Sequence, residues 1–206
     1  ANLFGLKEFG NIYSRLGNPT VGALEARLTA LEDGAMCVAL SSGTSAVMYS
    51  LINIMSQGDN FVAANQLYGG TYTMFDNILP EYGIDAKKVD ITDLKAVEDS
   101  IDDKTRAIYC ETVTNPGLVV ADVTALSEIA HKHGIPLIVD ATFTTSAIQK
   151  SFDFGADIVV YSLTKWMSGH GRVIAGAVIE KGGFDWGNGN FPLYDKPDSS
   201  YGNMRW

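Results

Sequence analysis

Lys165 stands in the run Tyr161-Ser162-Leu163-Thr164-Lys165-Trp166, directly after an apolar stretch. If that stretch is a buried strand, its end carries the ammonium to the rim where ligands collect. A primary amine placed there can condense with a carbonyl compound. An isolated lysine in a loop is ordinarily a solvated surface group, so its neighbours decide the matter. Ser162 and Thr164 alternate with Leu163, which turns both hydroxyls to one side, suited to donating to a phosphate. Ser42, Gly43 and Thr44 offer a second anion cradle at a helix N-terminus, where free N–H groups and the helix dipole favour negative charge. The Walker spacing is absent, which excludes an NTP-binding loop of that type.

Asp140 closes the run Leu137-Ile138-Val139. A carboxylate ending a buried strand needs an offset for its lost hydration, either a loop salt bridge, a helix to cap, or a functional partner. A ring nitrogen kept protonated is such a partner. An aspartate on a pyridinium nitrogen, with a lysine on the aldehyde, is the arrangement in which pyridoxal phosphate works as an electron sink. Tyr68, followed by Gly69 and Gly70, can bring a flat ring close to the backbone.

Positioning these residues requires strands that end beside them. Thr20 is read as the cap of a helix with Val21, Leu24, Leu28 and Leu31 on one face and Gly34 as its stop. Strand and helix then alternate: strand 36–40, helix 45–55, strand 61–64, helix 72–82, strand 84–89, helix 93–101 and strand 107–110. Asp122 caps a further helix ending at Gly134, and strands follow at 136–139, 158–161 and 173–179, the last interrupted by Gly176. Such alternation predicts an α/β fold in three layers around a mostly parallel sheet, with ligands beyond the carboxyl ends of the strands. The segments that matter are therefore 41–44, 65–70, 111–116, 140–145 and 162–170.

The 206 residues are 46% apolar, with mean hydropathy +0.06, enough for one globular core. A net charge of −9 argues against a nucleic-acid partner. Cys37 and Cys110 sit in apolar runs and read as buried thiols of a reducing compartment. No run reaches the ~18 apolar residues of a membrane span, and no signal peptide is recognisable, so a cytoplasmic location is expected. The chain begins at Ala1 and stops at Trp206, and it is expected to be a piece of something longer. His131 and His133 diverge by about 200° on a helix and cannot share a metal from it, so they are assigned to the helix C-terminus. No metal site is predicted. His170, between two glycines, is either a site residue or part of a flexible turn. Glu98, Asp99, Asp102 and Asp103 read as a solvated acidic surface.

In order along the chain, Tyr13-Ser14-Arg15, Asn18-Pro19-Thr20, Ser41-Ser42-Gly43 and Leu67-Tyr68-Gly69-Gly70-Thr71-Tyr72 form recognisable blocks. Asn115-Pro116, Val139-Asp140, Gly155-Ala156-Asp157-Ile158-Val159-Val160, Ser162-Leu163-Thr164-Lys165-Trp166 and Gly169-His170-Gly171 complete the set. Together they resemble the Cys/Met-metabolism group of fold type I pyridoxal phosphate enzymes across essentially the whole chain. Within that group, residues 1–11 and Gly183-Phe184-Asp185-Trp186 are most similar to O-acetylhomoserine sulfhydrylases.

The resemblance implies a division into an N-terminal arm (1–20), a cofactor-binding large domain (21–181) and a connection (182–206) towards a further C-terminal domain. It implies that Lys165 bonds the cofactor and carries protons, that Asp140 pairs with the ring nitrogen, and that Tyr68 stacks on the ring and assists acid–base steps. Gly43 and Thr44 would bind phosphate through N–H groups and Ser162 and Thr164 through hydroxyls, with Ser42, Thr142 and Asn115 also at the cofactor. Tyr13 and Arg15 would reach the phosphate of a neighbouring subunit, giving a homodimer with shared sites and a dimer of dimers. The implied reaction is γ-replacement, turning O-acetylhomoserine and sulfide or a thiol into homocysteine or methionine and acetate. Its alternatives are a γ-lyase or cystathionine γ-synthase of the same group, and a non-catalytic subunit that keeps the fold. Ala141 stands where the group usually has Asn, Ser146 where Pro is frequent, and Thr44 and Ser45 where Met or Gln and Ala are usual. The arginine that holds the substrate carboxylate is implied to lie beyond residue 206, since Arg205 does not match its motif; the 206 residues alone are expected to turn over weakly or not at all.

Overall fold

The computed structural model describes residues 2–3, 7–8 and 10–205. Part of the opening stretch likened to the sulfhydrylases (residues 1, 4–6 and 9) and Trp206 lie outside the described residues. The first helix, α1, spans Pro19–Glu32, and its cap is Asn18 rather than Thr20. Asn18 Oδ1 accepts the N–H groups of Thr20 at 2.9 Å and Val21 at 3.3 Å, and proline fits the first helical position because its missing N–H is not needed there. Val21 and Leu24 are exposed while Leu28 is buried, so the expected apolar face meets the core only at its end. Asp33 takes the left-handed stop (φ 56°) expected of Gly34. Gly34 is required for another reason, since a Cβ there would lie 2.8 Å from Ile179 Cγ2.

The strands are β1 (Met36–Leu40), β2 (Asn60–Ala64), β3 (Asp85–Val89), β4 (Thr105–Glu111), β5 (Leu137–Asp140), β6 (Ile158–Ser162) and β7 (Gly176–Glu180). They form one sheet in the order β1-β7-β6-β5-β4-β2-β3. β7 alone runs against its neighbours β1 and β6; every other pairing is parallel. All of β2 and the Leu137-Ile138-Val139 run of β5 are buried, as strands covered on both faces must be. The α/β, mostly parallel architecture is thus as expected, with the reversal at β7 as the added detail. The 173–179 strand begins instead at Gly176. An added Cβ there would lie 2.0 Å from the Ser42 carbonyl oxygen, so the glycine admits a close backbone crossing.

The covering helices are α2 (Gly43–Ile52), α3 (Gly69–Thr73), α4 (Leu94–Asp99), α5 (Val123–Lys132) and the short α6 (Thr145–Ile148) and α7 (Pro192–Asp195). The single helix expected over 72–82 is divided: α3 passes into a π-helical turn, Met74–Ile78, and a 3-10 turn, Leu79–Tyr82. Pro80 in that last turn has no N–H for a continuing α-helical ladder. The π turn places Phe75 edge-on between Phe61 and Tyr109, at 4.8 and 5.1 Å between ring centres, which ties α3 to β2 and β4. After β7 the chain returns to the body: Phe184, Trp186, Phe191 and Tyr194 pack together, and Asn188 and Asn190 donate to the Gly134 carbonyl.

Candidate active site

The loops leaving the carboxyl ends of β1, β2, β4, β5 and β6 surround a cleft of about 630 Å³. Ten of the sequence-singled residues meet there: Ser42, Gly43 and Thr44 after β1, Tyr68 after β2, Asn115 after β4, Asp140 and Thr142 at β5, and Ser162, Thr164 and Lys165 at β6. Residues as distant in sequence as Ser42 and Lys165 are brought together in this way because every parallel strand delivers its next loop to the same edge.

Two glycines build the anion end. At Gly43 an added Cβ would come within 2.5 Å of Ser162 Cβ, and Gly176 lets the Ser42 carbonyl cross β7. The start of α2 is thereby pressed against β6. The N–H groups of Gly43 and Thr44 form no hydrogen bond among the described residues. The Ser42 hydroxyl accepts the N–H of Ser45 at 3.0 Å and so caps α2, rather than standing free for a phosphate. The Ser162 hydroxyl is unengaged among the described residues, whereas that of Thr164 donates to the Ala175 carbonyl and accepts the Ala175 N–H, both at 3.2 Å. Lys165 is exposed at the cleft, and its ammonium forms no ion pair among the described residues.

The other end is acidic. Asp140 Oδ1 accepts the Thr142 N–H at 2.9 Å and Oδ2 the Tyr109 hydroxyl at 3.3 Å. Burial pushes its carboxyl above the usual range. Thr142 Oγ1 in turn accepts the Ser162 N–H at 2.8 Å, which links the ends of β5 and β6. Sequence reading placed Glu111 in a strand-end segment, 111–116, but gave it no role, although it lines the cleft. It is buried, and its Oε1 accepts the Tyr68 N–H at 2.6 Å while Oε2 accepts the Asn115 N–H at 2.9 Å. Burial, with the Asp140 charge adding to it, pushes this carboxyl up to about 7. The signal was available, because Glu111 closes the run Ala107-Ile108-Tyr109-Cys110 just as Asp140 closes its own.

Ser146 also has an account. It lies near the Tyr161 hydroxyl and the Glu32 carboxyl, which bond each other in the core, and it acts to lower the pKa of both. Proline at this place would lack the N–H. Burial pushes Glu32 up, and its second oxygen has no partner among the described residues. Ala141 is fully buried, its N–H on the Val160 carbonyl at 3.0 Å.

Tyr13 and Arg15 are not at this cleft; they bond each other, with the Arg15 guanidinium 5.3 Å from the Tyr13 ring centre. His131 is held by Asp157 at 2.9 Å and His133 by Glu98 at 3.2 Å, so side-chain carboxylates, and not the helix terminus alone, account for them. Asp102, expected on a merely solvated surface, pairs with Lys87 at 2.6 Å and accepts from Asn60 at 2.9 Å. Gly169 and Gly171 line the cleft; His170 does not. Among the described residues no group of three or more His, Cys, Asp or Glu could hold a metal, and no helix is long and apolar enough to cross a membrane.

This donor set fits pyridoxal phosphate. Among the described residues, free helix N–H groups stand at the glycine-cleared end, a buried carboxylate without a cation lies at the other, and an unpaired amine is at the rim. The Cys/Met metabolism PLP-dependent enzyme profile matches residues 1–196. An O-acetyl-L-homoserine sulfhydrylase of Leptospira meyeri is 46% identical over the whole chain, and a homocysteine synthase of Schizosaccharomyces pombe 44% over 98% of it. The chain spans about half the length of the curated relatives it matches, 46% and 48% of these two. A putative O-acetylhomoserine (thiol)-lyase from Campylobacter jejuni, whose crystal structure carries a pyridoxyl-lysine monophosphate, superimposes with a TM-score of 0.95. It is 40% identical, and the match covers 99% of this chain and 51% of that one. A cystathionine γ-lyase from Lactobacillus plantarum gives 0.81 at 40% identity, covering 85% and 46%.

Proposed function

Since this chain belongs to the Cys/Met metabolism PLP-dependent enzyme family, we propose that it forms the cofactor-binding part of a γ-replacement enzyme. That enzyme converts O-acetylhomoserine and sulfide, or a thiol, into homocysteine, or methionine, and acetate. The observation carrying the reading is the convergence of Lys165, Asp140, Tyr68 and the Gly43 cradle on one cleft. The choice of substrate and leaving group leans on the names of the sulfhydrylase relatives.

The chemistry supplied by pyridoxal phosphate when bound is that of an electron sink for the pair left by the α-proton. Gly43 and Thr44 hold the phosphate through their N–H groups, with the Ser162 hydroxyl beside them and Ser42 and Thr164 shaping the cradle. Asp140 would keep a proton on the ring nitrogen, whose positive charge would offset the burial of the carboxylate. Thr142 fixes Asp140. Asn115 and Tyr68 wall the cleft, the latter as stacking ring and proton donor. Lys165 Nζ would hold the cofactor and, as the amine nearest the reacting carbons, would take the α-proton and carry protons at the neighbouring carbons. Tyr13 and Arg15, free of their own cleft, reach the phosphate held by a neighbouring subunit, so the assembly is a homodimer and, by pairing, a dimer of dimers. The setting is cytoplasmic.

The test uses the full-length protein loaded with cofactor. Homocysteine formed from O-acetylhomoserine and sulfide, with borohydride fixing the cofactor's mass on Lys165, supports the reading. Ketobutyrate dominating without sulfide points to a γ-lyase, and absence of the Lys165 label sinks the cofactor assignment.

A further inference from the structure

We propose that Glu111 is a positioning residue that holds the two loops carrying Tyr68 and Asn115 at the separation the cofactor ring needs. The proposal rests on the cofactor reading above and goes beyond it. Both oxygens of one buried carboxylate are committed to backbone N–H groups: Oε1 to Tyr68 at 2.6 Å, Oε2 to Asn115 at 2.9 Å. These residues sit in different loops, after β2 and after β4, two strands that pair in parallel and so deliver both loops to one edge. A rigid, planar acceptor bridging them sets their spacing in a way that water could not, and charge-assisted bonds make the bridge strong.

Each supported residue needs outside help. Tyr68 precedes α3 and has no side-chain cap of its own, and its ring is 48% exposed at the cleft wall. Its backbone sets where that ring can stand. A Cβ on Gly70 would lie 2.7 Å from the Tyr68 ring, so the ring already lies tight against its own loop. Asn115 follows Thr114, whose hydroxyl accepts the Val119 N–H and closes the loop on itself. Glu111 is the tie between the two. At 5% exposure it lines the cleft without opening to bulk water, beside Asp140. Its action is therefore through Tyr68 and Asn115, which distinguishes it from Asp140.

Two rival roles, a merely structural acceptor and a direct contact with the cofactor, are separable in the full-length protein. Pyridoxal phosphate affinity is measured by equilibrium dialysis, alongside the circular dichroism of the visible cofactor band and of the cofactor-free far-UV spectrum. Glu111→Gln keeps the volume and one acceptor, and is expected to raise the dissociation constant about tenfold and weaken the visible band. In a Tyr68→Ala, Asn115→Ala background the same change is expected to add less than twofold, because nothing remains to be positioned. An unchanged constant, or the same tenfold loss in both backgrounds, overturns the proposal while leaving the cofactor reading intact. A wild-type protein that binds no cofactor overturns both. If Glu111→Gln does not fold by far-UV spectrum, Glu111→Asp decides by the same comparison, since a shortened carboxylate keeps the charge and loses the reach.

Discussion

Glu111 and Asp140 are direct partners in the register of β4 and β5, so two buried carboxylates end adjacent parallel strands at the same level. Each is satisfied by backbone N–H groups, and neither meets a cation among the described residues. Burial raises both carboxyls, the Asp140 charge adds to the rise at Glu111, and a positive group arriving between loops and strand ends would ease it. The cleft is thus prepared for a cation as well as for a phosphate.

Asp140→Asn removes the charge that a protonated ring nitrogen would meet, while keeping the shape. A hydrogen bond to a charged group contributes about 1.5–3 kcal/mol. Cofactor affinity is expected to fall by about one to two orders of magnitude, with turnover falling further because the ring proton is no longer held. Titration of the cofactor-free variant with pyridoxal phosphate measures the first; wild-type affinity in the variant would contradict the role.

The raised Glu111 carboxyl makes stability depend on pH. The folded cofactor-free protein holds this proton more tightly than the unfolded chain, whose value is near 4.5. The stabilisation is complete below that value and is lost as pH rises through about 7. Asp140 is raised in the same direction. Between pH 5 and pH 8 the wild type is expected to lose about 2.5 kcal/mol more than Glu111→Gln, since each tenfold gain in proton affinity on folding is worth roughly 1.4 kcal/mol. Urea unfolding at the two pH values checks it, and parallel losses in the two proteins would contradict it.

Gly43→Ala tests the anion cradle. The added methyl meets Ser162 Cβ at 2.5 Å and its Cα at 2.8 Å, and backbone cannot yield cheaply. An overpacking cost of about 1–3 kcal/mol is expected, together with weaker phosphate-dependent binding. Comparing pyridoxal phosphate with unphosphorylated pyridoxal separates the effects: the variant's loss should be confined to the phosphorylated form.

Arg15 can be tested in trans. Arg15→Ala and Lys165→Ala homo-oligomers should each be inactive or nearly so. Mixed and reassembled, they should recover about a quarter of wild-type activity, because random pairing into two-site dimers leaves one intact site in half of them. No recovery, with hetero-oligomers verified by mass, would place Arg15 outside a shared site.

Much of the cleft was legible without coordinates. Lys165, Asp140 and Gly43 each follow an apolar run or open a helix, and strand–helix alternation alone sends such residues to one edge. Local signals misled where packing took over. Thr20 has the chemistry of a cap, but Asn18 has the position once Pro19 occupies the first turn. Gly34 and Gly176 read as a helix stop and a strand break, yet both are close crossings of chain segments distant in sequence.

The order of residue types along the chain was by itself enough to determine the α/β class, the strand-end placement of Lys165 and Asp140, and the kind of cofactor they suit. Periodicity and strand ends are local properties, and a parallel sheet converts them into a common edge. Which hydroxyls are free was decided by tertiary structure alone, because Ser42 is taken by its own helix and Thr164 by Ala175, while Ser162 is not. The same holds for Glu111. Its acidity and its two N–H partners arise from loops 43 and 4 residues away in sequence meeting in a dry place, and desolvation depends on what surrounds a group in space, which no linear spacing records.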